Sequence, residues 1–244
     1  MEKHELVNGF KNIGIQKGMI LEIHSSLSSF GHIKGGADTV IDALMECVGK
    51  QGSIFMPSMR FSHAIELTEE DKNMGITTKI KILSENAERT GMGIIADTFR
   101  RRADVFTGEG VIRTSGWGKY ATEASKGGLD YAINNGGKAL LLGVDIYKLT
   151  AMHYAEDILP KEISNIFTPN AEICKKYPPE EWLIETGEPP VKAWYTIQDM
   201  AYEKGFIKDG YIGKCKYMFF DIRDVISLYR QSLKENAFKL YGFE

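Results

Sequence analysis

The first third of the chain alternates between two hydrophobic periods, and this alternation limits the fold more than any other feature. The runs GMILEIHSS (18–26) and SIFMPS (53–58) have the length and apolar content of strands. Between them, ADTVIDALMECVG (37–49) spaces its apolar side chains at helical intervals, with Asp38 as the expected N-cap. Strand, helix and strand in this order predict a βαβ unit with parallel strands and a right-handed crossover.

The rest of the chain continues the mixture of strands and helices. Residues 59–90 are polar and predict a loop-rich insertion over the sheet, and the proline-rich residues 160–195 predict a flap packed on one domain. We therefore expect one domain over residues 1–244. The further expected elements are helices at about 4–14, 92–102 and 197–205, strands KALLLGV (138–144) and YIGKCKYMFF (211–220), and a final helix over 221–238 that Asp221 caps.

Composition excludes several classes of protein. A formal net charge of -3 argues against nucleic-acid binding, which concentrates Lys and Arg. No apolar run approaches the roughly 20 residues of a membrane span, and the N-terminus lacks the apolar core of a signal peptide. The three cysteines are scattered, as is typical of reduced thiols. These features predict a soluble cytoplasmic protein with no nucleic-acid or membrane partner, and a homodimer as a candidate assembly.

The serine-rich stretch IHSSLSSFG (23–31) follows the first strand and precedes a Gly-Gly helix start. Hydroxyl groups and unpaired amides at the start of a helix favour negative charge, so the stretch could bind a phosphate-bearing cofactor. The alternative is an ordinary serine-rich turn, since neither a GxGxxG nor a GxxxxGK[ST] motif is present.

The stretch TAMHYAED (150–157) follows the apolar run ALLLGV. On a helix, Thr150, His153 and Glu156 lie on one face because each is three positions from the next. Glu156 could then fix the tautomer of His153 and raise its basicity, as a general base for an amine requires. The alternative is an accidental pair of a histidine and an acid on a helix surface.

Four blocks in one order resemble the aminoglycoside 3-N-acetyltransferase family. They begin with IHSSLSSFGHIKGGADTVIDAL and RTGMGIIADTFRRR, and continue with LLLGVDIYKLTAMHYAED and the tail YIGKCKYMFFDIRDVISLY. The resemblance implies a three-layer α/β/α fold with a central mixed, largely parallel sheet. It also implies acetyl transfer from acetyl-CoA to an amine of an aminoglycoside or related amino sugar, hence a role in antibiotic resistance, with no metal.

The resemblance also implies roles for individual residues. His153 matches the family's general base and Glu156 the acid that orients it. The residues matched to cofactor binding are His24, Ser25, Ser26, Leu27, Ser28, Gly35, Gly36 and Ser115.

The sequence departs from the family pattern near the expected acceptor site. Of the family's HPxxS motif only Ser115 is matched, and Tyr147 and Leu149 stand where an Asp and an Asn are common. These departures motivate an alternative, a CoA-binding member that acts on another amine or is not catalytic. A further alternative is a metal-dependent hydrolase built on His24, His63 and His153, which no metal-ligand spacing supports.

The acceptor could also be recognised by charge. A polycationic aminoglycoside needs an acidic pocket, and two clusters of acids could supply one if their loops face the cleft. The clusters are Glu69, Glu70, Asp71 and Glu180, Glu181, Glu185, Glu188.

Overall fold

The computed structural model describes residues 1–187 and 191–244. Its main sheet has seven strands in the order β4-β5-β2-β1-β6-β9-β8, and β3 and β7 form a second, two-stranded sheet. The strands are β1 Ile20–Ser25, β2 Ser53–Pro57, β3 Ile76–Lys81, β4 Phe106–Thr107, β5 Thr114–Gly118, β6 Lys138–Leu142, β7 Trp182–Thr186, β8 Lys208–Ile212 and β9 Cys215–Asp221.

Helices connect the strands. The α-helices are α1 Lys3–Ile13, α2 Gly36–Val48, α3 Glu69–Asn73, α4 Ile94–Phe99, α5 Gly128–Asn134, α6 Lys161–Phe167, α7 Ala171–Lys176, α8 Val191–Glu203 and α9 Ile222–Tyr241. Segments Leu27–Phe30, Ala121–Lys126, Ile146–Lys148 and Thr150–Ile158 are 3-10 helices. No helix in the described ranges is long and apolar enough to cross a membrane.

The main sheet is mixed, as expected, but it is not largely parallel. Among the described strands of this sheet, β1–β2 and β1–β6 pair in parallel, whereas β2–β5, β4–β5, β6–β9 and β8–β9 are antiparallel. The parallel β1–α2–β2 unit confirms the βαβ prediction. A parallel pair needs a long crossover, and the tight β8–β9 connection allows only antiparallel pairing.

The two faces of the sheet are covered by different helices, which confirms the three-layer α/β/α fold. Alternate side chains of β1 pack on opposite faces of the sheet. Leu21 and Ile23 pack in the core that the sheet forms with α1, α2 and α4. Ile20 joins the opposite core, with α5, α8, α9 and the 3-10 helix Thr150–Ile158. Side chains at alternate positions of a strand share a face, so Glu22 and His24 lie on the same side of the sheet as Ile20, towards this second layer.

Two local predictions were wrong, and a third was confirmed in part. Helix α2 is capped by Gly35, which adopts a left-handed conformation (φ 85°), so Asp38 lies inside the first turn. The stretch YIGKCKYMFF is a hairpin, because Gly213 (φ 59°) turns the chain between β8 and β9. Asp221 is the N-cap residue of α9, as predicted, but its side chain does not cap the helix, because its carboxylate accepts hydrogen bonds of 2.8 Å from Lys138 Nζ.

The insertion and the flap contain more regular structure than the sequence indicated. Strand β3 from residues 59–90 pairs antiparallel with β7 from residues 160–195. Ile76, Ile173 and Ile184 form a small core beneath this pair. In the same region the buried Lys79 Nζ lies 2.7 Å from Asp71 Oδ2. The two excursions therefore pack on each other.

Candidate active site

A cavity of about 730 Å³ opens where β1 and β2 end. Its wall includes residues 23–28 from the end of β1, Pro57 from β2 and residues 91–94 at the start of α4. Val144, which follows β6, and residues 147–150 close another side. Ligands of open α/β sheets bind outside the carboxyl ends of the parallel strands, and the cavity lies at that place.

The structure brings together most of the residues that the sequence selected. His24, Ser25, Ser26, Leu27 and Ser28 all line the cavity, and so does His153. Glu156 lies behind His153 and contacts it directly. Residues from β1 and from the segment after β6 meet because β1 and β6 are neighbours in the sheet.

Gly35, Gly36 and Ser115 do not line the cavity. The two glycines form the positive-φ turn that begins α2. Ser115 is fully buried, and its hydroxyl lies 2.6 Å from Ser58 Oγ and 2.7 Å from Thr107 Oγ1. These contacts give Ser115 a structural role between β2, β4 and β5, and the structure does not place it beside a cofactor.

The serine turn, residues 25–29, has unpaired backbone amides at residues that line the cavity. Leu27 and Ser28 begin a 3-10 helix, and their N–H groups have no hydrogen-bond partner within residues 1–187 and 191–244. The Ser26 and Ser28 hydroxyls lie 3.0 Å apart. Amides at the start of a helical turn are ready donors to an anion or a carbonyl. Gly143 packs so closely on this turn that a Cβ there would overlap the Ser29 side chain.

The segment that carries His153 is helical, as the sequence predicted, and it has the tighter 3-10 form. Side chains three residues apart are nearly eclipsed in a 3-10 helix, which aligns His153 with Glu156. His153 Nδ1 lies 2.7 Å from Glu156 Oε2. The imidazole is 61% exposed and the Glu156 side chain 19% exposed, so the imidazole lines the cavity while the carboxylate is held behind it.

Glu156 is held by further hydrogen bonds. Its Oε1 accepts a hydrogen bond of 2.9 Å from Trp194 Nε1. Tyr229 Oη and Tyr241 Oη lie 3.1 Å and 3.4 Å from the same oxygen and 2.5 Å from each other, so one hydroxyl donates to Oε1 and the other donates to its neighbouring hydroxyl. Burial alone would raise the pKa of Glu156, but its hydrogen bonds with His153, Trp194 and Tyr229 outweigh burial and lower it. The group therefore remains a carboxylate.

The carboxylate sets the properties of the imidazole. Desolvation works against a charged His153, yet the hydrogen bond and charge of Glu156 outweigh it and raise the pKa of His153. A carboxylate can only accept, so Nδ1 carries the proton and Nε2 presents a lone pair. Such an imidazole can remove a proton from a group bound in the cavity.

Several residues of the site gave no signal in the sequence. Trp194, from α8, lines the cavity with its ring centroid 5.0 Å from that of His153. Tyr229 and Tyr241 reach Glu156 from α9, at sequence separations of 73 and 85. Only Glu22 could have been noticed, because it is a charged residue inside an otherwise apolar strand.

Charge in the described part of the cavity wall is sparse. No carboxylate lines it there, and Lys148 is its one charged side chain apart from the histidines. Of the two acidic clusters considered above, Glu185 lies near enough to act on the site: burial raises the pKa of Tyr147 and the charge of Glu185 adds to it, and the same charge adds to the larger effect of Glu156 on the pKa of His153. Glu188 lies outside the described residues. His63 does not line the cavity, and no cluster of three or more metal-binding side chains occurs in the described ranges.

Comparisons with known proteins agree with this architecture. The aminoglycoside N(3')-acetyltransferase-like protein YokD of Bacillus subtilis is 27% identical, over 92% of this chain and 89% of its own. An aminoglycoside N(3)-acetyltransferase III of Salmonella sp is 24% identical over 91% and 87%. The structure of AAC-IIIb in a binary complex with CoASH superposes with a TM-score of 0.69 at 17% identity, over 96% of this chain and 97% of that one.

A family model gives the assignment. The model described as aminoglycoside 3-N-acetyltransferase matches residues 23–234, a range that contains the serine turn and the His153 segment. The chain belongs to the aminoglycoside 3-N-acetyltransferase family.

Proposed function

We propose that the protein is an N-acetyltransferase that moves the acetyl group of acetyl-CoA to an amine of an aminoglycoside or related amino sugar. The observation that carries the proposal is the 2.7 Å contact between His153 Nδ1 and Glu156 Oε2 at the wall of the cavity that the serine turn also lines. We further propose that residues 1–244 act as a single acetyltransferase domain in the cytoplasm.

His153 and Glu156 are the catalytic pair of this proposal. An ammonium group has no lone pair, so the acceptor must lose a proton before it attacks a thioester carbonyl. His153 Nε2 takes this proton, directly or through a water molecule, and Glu156 stabilises the imidazolium that forms. General-base catalysis of this kind contributes typically about 10²–10⁴-fold to the rate.

We assign the binding of acetyl-CoA to residues 24–28. The unpaired amides of Leu27 and Ser28 and the hydroxyls of Ser26 and Ser28 suit a pantetheine amide or a phosphate oxygen. The AAC-IIIb structure, which has the same fold, is titled as a complex with CoASH. Placing the cofactor against this turn leaves the His153 side of the cavity for the acceptor.

A second candidate acceptor is an amino sugar with fewer positive charges, such as one on a nucleotide or polysaccharide precursor. It is favoured by the scarcity of carboxylates in the described cavity wall and by the presence there of Lys148. A polycation would be better served by several acids. Both acceptors would use the same base and the same thioester.

The test is a thiol-release assay with acetyl-CoA against aminoglycosides, simple amino sugars and nucleotide amino sugars. We expect turnover with at least one of these amines, and a loss of about 10²-fold or more in His153→Ala. Calorimetry should show that acetyl-CoA affinity changes less than about threefold in that variant, because His153 acts on the acceptor.

His32→Ala is the matched control, because His32 is exposed and does not line the cavity. Full turnover by His153→Ala would overturn the role of His153. Binding of CoA without thiol release for any amine would instead identify a CoA-binding member that has lost catalysis.

A further inference from the structure

Glu22 is an acid inside the central strand of the main sheet. It is fully buried in β1, which lies between β2 and β6. Its Oε2 atom is buried and has no hydrogen-bond partner in the described part of the chain. A buried oxygen without a partner costs free energy, so packing does not account for an acid at this position.

The other oxygen of Glu22 reaches the segment that carries His153. Glu22 Oε1 accepts a hydrogen bond of 3.2 Å from the Ala151 amide, which lies 129 positions away in the sequence. The same oxygen lies 2.8 Å from His24 Nε2, and this nitrogen lies 3.3 Å from the Thr150 amide nitrogen. The first two amides of the segment are therefore gathered around one carboxyl oxygen and the imidazole beside it.

The start of this segment has no local cap. Leu149 is its N-cap residue and makes no capping hydrogen bond, because an apolar side chain cannot accept one. Ala151 is the second residue of the helix, and its N–H is one of those that a capping side chain normally binds. Glu22 supplies the missing acceptor from β1.

Contacts from other elements hold the segment at both ends. Near its end, Glu156 accepts hydrogen bonds from Trp194 of α8 and from one tyrosine hydroxyl of α9. Near its start, the Ala151 amide donates to Glu22. The hydrogen bonds within a 3-10 helix have poorer geometry than those of an α-helix, so such a segment depends on outside contacts. His153 lies between the two contacts, about 4 Å along the axis from Ala151 and about 6 Å from Glu156.

We propose that Glu22 is a positioning residue for the transfer, because its hydrogen bond to the Ala151 amide fixes the start of the segment on β1 and so holds His153 at its place in the cavity wall. The inference rests on the proposed acetyl transfer. A general base must lie within hydrogen-bond reach of the proton that it removes, and a displacement of about 1 Å can cost about 10²-fold in rate. A carboxyl group accepts through an oxygen whether or not it is ionised, so this role needs no charge on Glu22.

Two variants of Glu22 separate the acceptor from the rest of the side chain. Glu22→Gln has nearly the same size and keeps an oxygen that can accept from the Ala151 amide, whereas Glu22→Leu fills similar space without an acceptor. We expect Glu22→Leu to lower kcat about 10–10²-fold, and Glu22→Gln to retain kcat within about threefold of the parent.

The KM for acetyl-CoA should change less than about twofold in both variants. The serine turn, to which we assign the cofactor, is held separately by a hydrogen bond of 2.8 Å from the Ser26 amide to the Leu142 carbonyl. A fall in kcat without a change in this KM therefore indicates a displaced base and an intact cofactor site.

Leu44→Ala is the matched control for lost stability. Leu44 is fully buried in α2, in the core on the opposite face of the sheet, and it does not line the cavity. We expect this variant to have a lower midpoint of thermal unfolding than the parent, and to keep the parent's kcat when it is assayed well below that midpoint.

Three outcomes would overturn the proposal. Equal losses of kcat in Glu22→Gln and Glu22→Leu would show that the acceptor oxygen is not what matters. A parental kcat in Glu22→Leu would show that the hydrogen bond to Ala151 does not position the base. A loss in Leu44→Ala as large as that in Glu22→Leu would show that reduced stability alone explains the effect.

Amide hydrogen exchange tests the contact without turnover. In Glu22→Leu, the amides of residues 151–155 should exchange about tenfold faster than in the parent, relative to the amides of α2 in the same protein. Glu22→Gln should keep the parent's protection. Unchanged protection in Glu22→Leu would contradict the inference. If no amine is acetylated but protection changes as expected, the proposed acetyl transfer fails while the fixing of the segment by Glu22 stands.

Discussion

Replacing Glu156 with Gln tests the central pair without removing the imidazole. The Trp194 indole and one of the two tyrosine hydroxyls donate to Oε1, so the amide oxygen of Gln would occupy that place and its NH₂ would face His153. His153 Nδ1 would then have to accept, which moves the proton to Nε2, where the lone pair is needed. By analogy with carboxamide substitutions in other His–carboxylate enzymes, kcat should fall by about 10²–10⁴-fold.

The pH profile gives a second measure of the same change. In the parent, His153 has a raised pKa, and kcat/KM should increase with pH as the imidazole loses its proton. In Glu156→Gln, desolvation still lowers the pKa of His153, but the carboxylate that raised this pKa is lost. The pKa of His153 should therefore decrease, and the acid limb should move to lower pH.

The assay is the initial rate of thiol release, measured from about pH 5.5 to about pH 9, because this range covers the titration of a histidine. The matched control is Asp157→Asn, which alters the neighbouring acid. Asp157 is 61% exposed and pairs with Arg230, so we expect its kcat and pH limb to match the parent. The reasoning is refuted if Glu156→Gln keeps most of the parent's kcat with an unmoved acid limb.

The remaining predictions concern the serine turn and the small sheet. Gly143→Ala would force a side chain at φ 68° into Ser29, so acetyl-CoA affinity should fall about tenfold by calorimetry, with a loss of about 1–3 kcal/mol in unfolding free energy. An unchanged affinity would contradict the assigned CoA site. Lys79→Met leaves the buried Asp71 carboxylate without its cation and should cost about 3–5 kcal/mol in urea unfolding, whereas the exposed Lys72→Met should cost less than about 1 kcal/mol. Burial opposes ionisation of Asp71, but its hydrogen bonds, chiefly from Lys79, outweigh burial and lower its pKa. The ionised Asp71 therefore stabilises the fold fully above its unfolded pKa of about 3.9, and this stabilisation is lost as the pH falls further. Acid unfolding of the parent and of Asp71→Asn would check this pH dependence.

Local patterns predicted the elements that carry the site. The two apolar periods predicted β1, α2 and β2, and the spacing of His153 and Glu156 predicted that the two side chains lie together. Local patterns failed where a backbone conformation decided the outcome. The positive φ of Gly35 displaced the helix cap from Asp38, and the turn at Gly213 divided an expected strand into two.

The sequence by itself determined the α/β class, the serine turn and the spacing of His153 and Glu156, because each depends on residues close together in the chain. Only the tertiary structure decided which of these meet. The His24 contact with the Thr150 amide spans 126 residues, and it forms because β1 pairs in parallel with β6 and the chain enters the His153 segment soon after β6 ends. Such a contact follows from strand order, which no local periodicity specifies.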